Sequence, residues 1–410
     1  MKRICLVVAF LAVYLTAQAQ GIGTAQDLQS FITAYNNGED ILQWCDKDTT
    51  VYLSADIDLA KTKNLPQINN FAGKFDGRGH KLCNWKATRG FFLTVGKNGV
   101  VQNLVIDASC SLKSVGKGDE HAVGFIADRN EGIIQDCVNY GNVNHTCKYA
   151  LAASWVGGLV GHNKMAIYRC RNYGNVTSDT SGEPRQDVWV VVGGICGGTP
   201  GKVPHGATVS RCENHGKISA VTGLLSFYVG GIAGYVNVDC AMSDCENKGT
   251  ITMGGIKGAT LADAASGHNC IGGIVGYSAD SASALSKCIN NGVINYNVQT
   301  YDKGANGVHR VGGIVGNNEG TITECENLKP LNINTKVTVI EGENPTNQIQ
   351  VGGICGYTKT NITSCVNKGT ITFGEEATAY GYCFGGLVGY AAGGTIKSSH
   401  NEGEIKILGD

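Results

Sequence analysis

Proline, charge and long apolar runs are all scarce in this sequence. Six prolines and 16% charged residues in a chain of 410 do not describe a solvated linker or a charge-laced helical array. Past residue 20 no stretch approaches the ~18 uninterrupted apolar residues of a membrane helix, so no span is expected there. The basic residues nowhere form a cluster, and 33 Lys+Arg face 34 Asp+Glu. Nucleic acid is therefore not an expected partner, because phosphate binding needs a concentrated basic face. No C-x-x-C occurs and the nine histidines are scattered, which removes zinc-ribbon spacing. No metal and no other cofactor is expected. G-x-x-x-x-G-K-[ST] is missing too, so the many glycines do not form a phosphate loop of that kind.

What stands at the beginning is MKRICLVVAFLAVYLTAQAQ: Lys2 and Arg3, an apolar run from Ile4 to Leu15, then Ala17-Gln18-Ala19. This order is that of a secretory signal peptide, residues 1–19. Cys5 lies inside the run rather than at its end, so a lipoprotein signal is not expected, and the closing IKILGD does not read as an anchor. Taking Lys2 and Arg3 from the 33 basic residues leaves 31 against 34 acidic ones, a net charge near −3. The reading is a secreted or cell-surface protein, with the periplasm as a further possibility.

Glycine, at 59 residues, is about twice its usual share, and it is placed periodically. The phrase V-G-G-[IL]-x-G, a gap, then [ILVM]-x-x-C-x-N-x-G-x-[IV] runs through residues 121–410. Its first half appears as VGGLVG at 156–161, VGGICG at 192–197, VGGIAG at 229–234, IGGIVG at 271–276, VGGIVG at 311–316, VGGICG at 351–356 and FGGLVG at 384–389, with a decayed VGFIAD at 123–128. Eight copies predict a solenoid in which each unit buries its apolar face against its neighbours. Each copy holds three short β-rich runs, such as RVGGIVG, TITEC and PLNIN, and no helical stretch. The predicted fold is all-β: a right-handed parallel β-helix, three short strands per coil, about nine or ten coils, with handedness taken from the bias of parallel crossovers. Columns of letters then become ladders of side chains at about 4.8 Å.

Ile134, Ile167, Val209, Met242, Leu285, Ile322, Ile362 and Ile396 form an inward column. Asp136, Arg169, Arg211, Asp244, Lys287, Glu324, Ser364 and Ser398 form a polar one facing water. Asn139, Asn172, Asn214, Asn247, Asn290, Asn327, Asn367 and Asn401 are expected at a corner, where Asn tolerates left-handed backbone and stacked amides bond to one another. Cys137, Cys170, Cys212, Cys245, Cys288, Cys325 and Cys365 are expected as a reduced, buried ladder. Their side chains point the same way rather than toward one another. Off-column Cys147, Cys240, Cys270 and Cys383 are open to pairing. Gly-Gly is read as a bend or close backbone approach between coils.

Residues 20–120 depart from the phrase and are read as an N-terminal cap and first coils, continuous with 121–410. Leu28, Phe31, Ile32 and Tyr35 are spaced for a short helix that closes the stack. DIDLA at 56–60, F-x-G-x-F-D-G-x-G-H at 71–80, NGVVQNLVI at 98–106 and the repeated GG[IL]xG together resemble the GLUG-motif proteins. These are secreted or surface-exposed, adhesin-like β-helical proteins of gut bacteria. The resemblance implies an exported β-helix with adhesion or carbohydrate-binding roles, and supplies no catalytic residues.

Function is placed on the variable side. Insertions before Gly272 and Gly352 build a changing edge beside a constant core. Aromatic residues gather near Gly-Gly: Trp155, Trp189, Phe227, Tyr228, Tyr380 and Tyr382 before it, Tyr235, Tyr277, Tyr357 and Tyr390 after it. Exposed ring ladders stack sugars, so Trp155, Tyr228, Tyr235, Tyr277, Tyr357 and Tyr390 are the candidate binding residues for a glycan or a surface protein. The plain alternative is that these columns stiffen the outer face of the sheet or cover a loop. A polysaccharide lyase or glycoside hydrolase is the competing class, since β-helices host both. It needs converging carboxylates, and the sequence offers only Asp56/Asp58, Asp119/Glu120 and Asp76, the last read as a turn residue. A structural spacer is the third reading.

Overall fold

The computed structural model describes residues 20–116, 120–147, 153–179, 189–199, 206–221, 226–237, 239–254, 268–302, 308–339, 348–375, 377 and 381–408. The expected signal peptide, Asp119, Tyr380 and much of the inserted loops lie outside these residues.

The chain is a parallel β-helix. One coil runs through strands Ile133–Gln135, Val138–Asn139, Asn142–Cys147, Ala153–Gly157 and Val160–Asn163. Like strands of successive coils pair in parallel into five sheets of 11, 11, 10, 8 and 9 strands, here called sheets one to five in that chain order. The three β-rich runs of each copy thus become five strands, because two of the runs bend in the middle. Register follows the letters: Ile134 pairs with Ile167, Val209 with Met242, Asn139 with Asn172 and Asn247 with Asn290.

The first bend separates sheet one from sheet two. It lies at the polar column, where Asp136, Arg169, Arg211, Asp244, Lys287, Glu324, Ser364 and Ser398 all have φ between 50° and 55°. The left-handed corner expected at Asn is therefore three residues earlier. Each such residue carries roughly 1 kcal/mol of backbone strain. The next residue shows why the bend suits Cys. The thiols of Cys137, Cys170, Cys212, Cys245, Cys288, Cys325 and Cys365 each donate to the carbonyl two residues back, at 3.3 Å in every copy. In the last copy Ser399 makes the same bond, Oγ to Lys397 O at 2.9 Å. The ladder thiols are buried and free of disulfides, as are those of Cys240 and Cys270; Cys383, half-buried, is likewise free. Burial raises the pKa of Cys137, Cys170 and Cys245, which keeps them thiols at neutral pH.

Asn lies inside the strand of sheet two, fully buried from Asn139 to Asn367 and exposed at Asn401. Its Nδ2 donates to the next Asn Oδ1 along an unbroken line from Asn139 to Asn401, at 2.6–2.9 Å. The second Nδ2 proton goes to a carbonyl two residues on, as in Asn247 to Gly249 O at 3.0 Å, and the Gly249 N–H returns to Asn247 Oδ1 at 3.2 Å. All four valences of a buried amide are thereby met.

Gly-Gly makes the second bend, between sheets four and five. A Cβ on Gly157 would stand 1.9 Å from Val160 O, and one on Gly158 2.2 Å from Gly194 O and 2.6 Å from Asn172 Cγ. The first glycine makes the turn; the second makes room for the neighbouring coil and its Asn.

At the N-terminal end helix α1, Ala25–Asn37, closes the stack. Thr24 caps it, accepting from Asp27 N at 3.1 Å, and Gly38 ends it at φ 74°. Leu28, Phe31 and Ile32 are buried, with Phe31 against Trp44 and Phe75. In the last coil Ile396, Ile405, Ile407 and Leu408 are exposed.

Candidate functional site

Alternation along sheet four sends Val190 and Val192 into the main core and Val191 to the outside, where it joins a second, separate apolar cluster. The Gly-Gly bend folds sheet five toward that outer side, so two outward columns converge into an elbow. One is Ala122, Trp155, Val191, Tyr228, Cys270, Arg310, Gln350 and Cys383. The other is Arg129, His162, Gly198, Tyr235, Tyr277, Asn317, Tyr357 and Tyr390.

The elbow brings four of the six candidate rings together. Trp155 and Tyr235 are 5.7 Å apart, Tyr228 and Tyr235 5.7 Å, and Tyr228 and Tyr277 5.1 Å. Tyr357 and Tyr390 form a separate parallel pair at 5.8 Å. The exposed ladder expected from the sequence is only partly present. Trp155, Tyr228 and Tyr235 are 4%, 3% and 8% exposed, because the elbow packs them against one another. They form the floor. Trp189, 43% exposed, leans edge-on over Tyr228 at 5.9 Å, and Tyr390 is 45% exposed. Tyr277 and Tyr357 are half-buried. Phe227, on the alternate side of its strand, belongs to the main core. Gly198 is what admits the Trp155 indole, which would lie 2.9 Å from a Cβ there. Burial raises the pKa of Tyr228, Tyr235 and Tyr277, so these phenols stay protonated donors.

Polar groups enter the elbow toward its C-terminal half. Arg310 lies over Tyr357, its Cζ 4.1 Å from the ring centre, and its Nε donates to Gln350 Oε1 at 3.0 Å. Tyr277 OH donates to Glu319 Oε1 at 3.3 Å, and Lys359 pairs with the same oxygen at 3.1 Å.

Carboxylates gather elsewhere. A groove of about 320 Å³ on sheets one and two holds Asp136, Glu213, Asp244 and Glu246 among Arg169, Arg171 and Arg211. The sequence reading missed this grouping because its members come from three copies. Arg169 holds Asp136 with two bonds of 2.7 and 2.6 Å. Glu213 takes Lys248 at 2.9 Å and His215 at 2.8 Å. Partial burial would raise the Glu213 carboxyl, but the bonds from Lys248 and His215 and the Lys248 and Arg171 charges bring it to about 2. A carboxyl that acidic is a poor proton donor at neutral pH. Asp56 accepts from Lys81 N, Asp58 from Ala60 N and Asn84, and Asp76 from Arg78 N and Asn103. These are turn and corner bonds.

One hydroxyl–imidazole pair also went unseen in the sequence. Ser114 Oγ lies 2.6 Å from His121 Nε2, and the His121 ring stacks on His145 at 5.2 Å. All three are buried, and burial, followed by the Arg89 charge, lowers His121 to about 4. The pair is a polar seam of the core between sheets three and four. Outside, Tyr140, Tyr173 and His215 stack in parallel at 4.8 and 4.3 Å; rings stacked along the axis turn their edges, not their faces, to solvent.

Among the described residues no cluster of three or more His, Cys, Asp or Glu side chains is placed to hold a metal ion, and no helix is long and apolar enough to cross a membrane. The family profile of the GLUG motif matches residues 380–406, the last copy of the repeat. No curated protein matches the chain. Among solved structures, a Bacteroides ovatus protein provisionally described as an immunoglobulin A1 protease is 22% identical, with a TM-score of 0.47 over 68% of this chain and 76% of that one. A second, an IgA1 protease, is 11% identical with a TM-score of 0.41, over 81% of this chain and 21% of that one.

Proposed function

We propose that this is an exported, non-catalytic binding or adhesion protein that takes a glycan on the elbow between sheets four and five. The observation that carries this reading is the line of rings there, buried at Trp155, Tyr228 and Tyr235, half-buried at Tyr277 and Tyr357, and exposed at Trp189 and Tyr390. A rigid aromatic floor with accessible rings and phenolic donors offers apolar area to sugar faces and hydrogen bonds to their hydroxyls. The signal-like opening residues support export.

A polysaccharide-active enzyme is the second reading, favoured by the four carboxylates of the groove on sheets one and two. Their ion pairs speak against an acid–base role, since a general acid needs a raised pKa. A glycan array probed with the wild type, Trp189→Ala and Tyr357→Ala decides between the two faces. Binding that falls at least about tenfold in both variants supports the elbow. Binding unchanged in both, or turnover of a bound polysaccharide that is lost in Glu213→Gln, contradicts it.

A further inference from the structure

We infer that the elbow carries an anion-recognition point at Arg310, so that the glycan it takes bears one negative charge on the recognised unit, as a carboxylate or a sulfate ester. This rests on the elbow being the glycan face.

Ladders recur in every coil, whereas a site is local. Rings are missing from both columns in the first and third copies as well, at Ala122/Arg129 and Val191/Gly198, but the sixth alone puts a non-aromatic polar side chain in both. Where Tyr277 and Tyr357 stand in the flanking coils the sixth has Asn317, and on the facing strand it has Arg310. The line of rings is thus interrupted in this coil by one guanidinium and one carboxamide. Arg310 has no carboxylate partner among the described residues. Glu319, the carboxylate that Tyr277 brings to the elbow, is already engaged by Lys359 and by Tyr277 OH. Arg310 is instead fixed by neutral groups, Gln350 through Nε and the Tyr357 ring beneath its plane. Burial pushes the neighbouring Cys270 thiol up to about 12, a rise that Arg310 opposes; the thiol therefore remains neutral and leaves the cation uncompensated.

Asn317 is the independent observation. It is fully buried, and neither its Nδ2 nor its Oδ1 has a partner. Folded proteins rarely leave a buried carboxamide unmatched. With Nε donating to Gln350 and one further N–H shared with the Cys270 sulfur, the guanidinium still has Nη donors for a planar oxyanion, and the amide can donate to the same anion. One fixed cation suits a monoanion better than a dianion. Tyr277 and Tyr357, on either side, would flank the sugar ring that carries it.

The test is binding of oligogalacturonate against its fully methyl-esterified form, and of a sulfated galactan oligosaccharide against its desulfated form, to wild type, Arg310→Gln, Asn317→Ala and Tyr357→Ala. The expected result is a preference of at least about tenfold for one of the charged forms. Arg310→Gln should erase it without weakening the neutral form, and Tyr357→Ala should weaken both forms. Which charged form is preferred identifies the anion. Thermal melts of each variant guard against misfolding. Equal binding of charged and neutral forms by wild type, or a preference that survives in Arg310→Gln, overturns the inference and leaves the glycan reading standing. Binding of none of the four overturns both.

Discussion

The first coils and the repeat coils share one frame and fill it differently. Between residues 68 and 106 the interior is Phe71, Phe75, Phe91, Phe92 and Trp85 with Leu82, Leu104 and Ile106, rings meeting at 4.9–6.3 Å. From residue 133 on, the places of Leu104 and Ile106 hold Cys137 and Asn139, while those of Phe75 and Phe92 hold the aliphatic Ile134 and Val160. Register runs across the change: Val101 pairs with Ile134 and Ile106 with Asn139, and Asn103 has φ 52° where Asp136 has 55°. The frame therefore depends on where the chain bends and pairs, not on what lies inside. Apolar filling needs only the right volume, so it can vary. An amide ladder needs its own kind above and below, so it repeats. Phe125 marks the change, standing where later copies have the second glycine and packing on Trp85 at 5.8 Å. The first amide, Asn139, follows it.

The comparison breaks most sharply at that glycine. In the repeat coils a Cβ on Gly231 would lie 2.1 Å from Gly273 O and 2.4 Å from Asn247 Cγ. Gly231→Ala should cost about 4 kcal/mol or more in a denaturant titration, whereas Phe125→Ala should cost about 3 kcal/mol through its lost packing. If Gly231→Ala were the milder change, the close stacking of coils would not be what fixes glycine there. The smallest effect sharpens the comparison at the left-handed bend. Lys287→Asn places in a repeat coil the residue the first coils use at Asn103, and should gain about 0.5 kcal/mol by relieving strain. A loss of stability would mean that the Lys287 side chain contributes more than its backbone costs.

Much of this frame was legible in the letters. Columns of Ile, Cys and Asn are visible because a solenoid's period in sequence is its period in space. The Asn corner was misplaced because Asn is the residue that tolerates left-handed backbone best. Here the burial of its amide matters more, and the bend falls on exposed charged residues beside a thiol that satisfies the freed carbonyl. The burial of Trp155, Tyr228 and Tyr235 was not legible, since it depends on which way the Gly-Gly bend folds the sheet, a property of the assembled coils. Arg310 and Asn317 are hidden in the sequence because a repeat displays the letters that recur; the copy that departs from its columns is the signal that marks them. Glu213 and Asp136 were hidden for the opposite reason, being neighbours only once the coils are stacked.

The central claim is that residues some forty apart in sequence are bonded neighbours along the axis. A double-mutant cycle on Asn247→Ala and Asn290→Ala tests it most directly, with Asn247→Ala and Asn367→Ala as the control pair. The Asn247 Nδ2 to Asn290 Oδ1 bond of 2.9 Å predicts a coupling of about 1–2 kcal/mol for the first pair and additivity for the second. Additive behaviour of Asn247 and Asn290 would contradict the ladder, and with it the stacking of the coils.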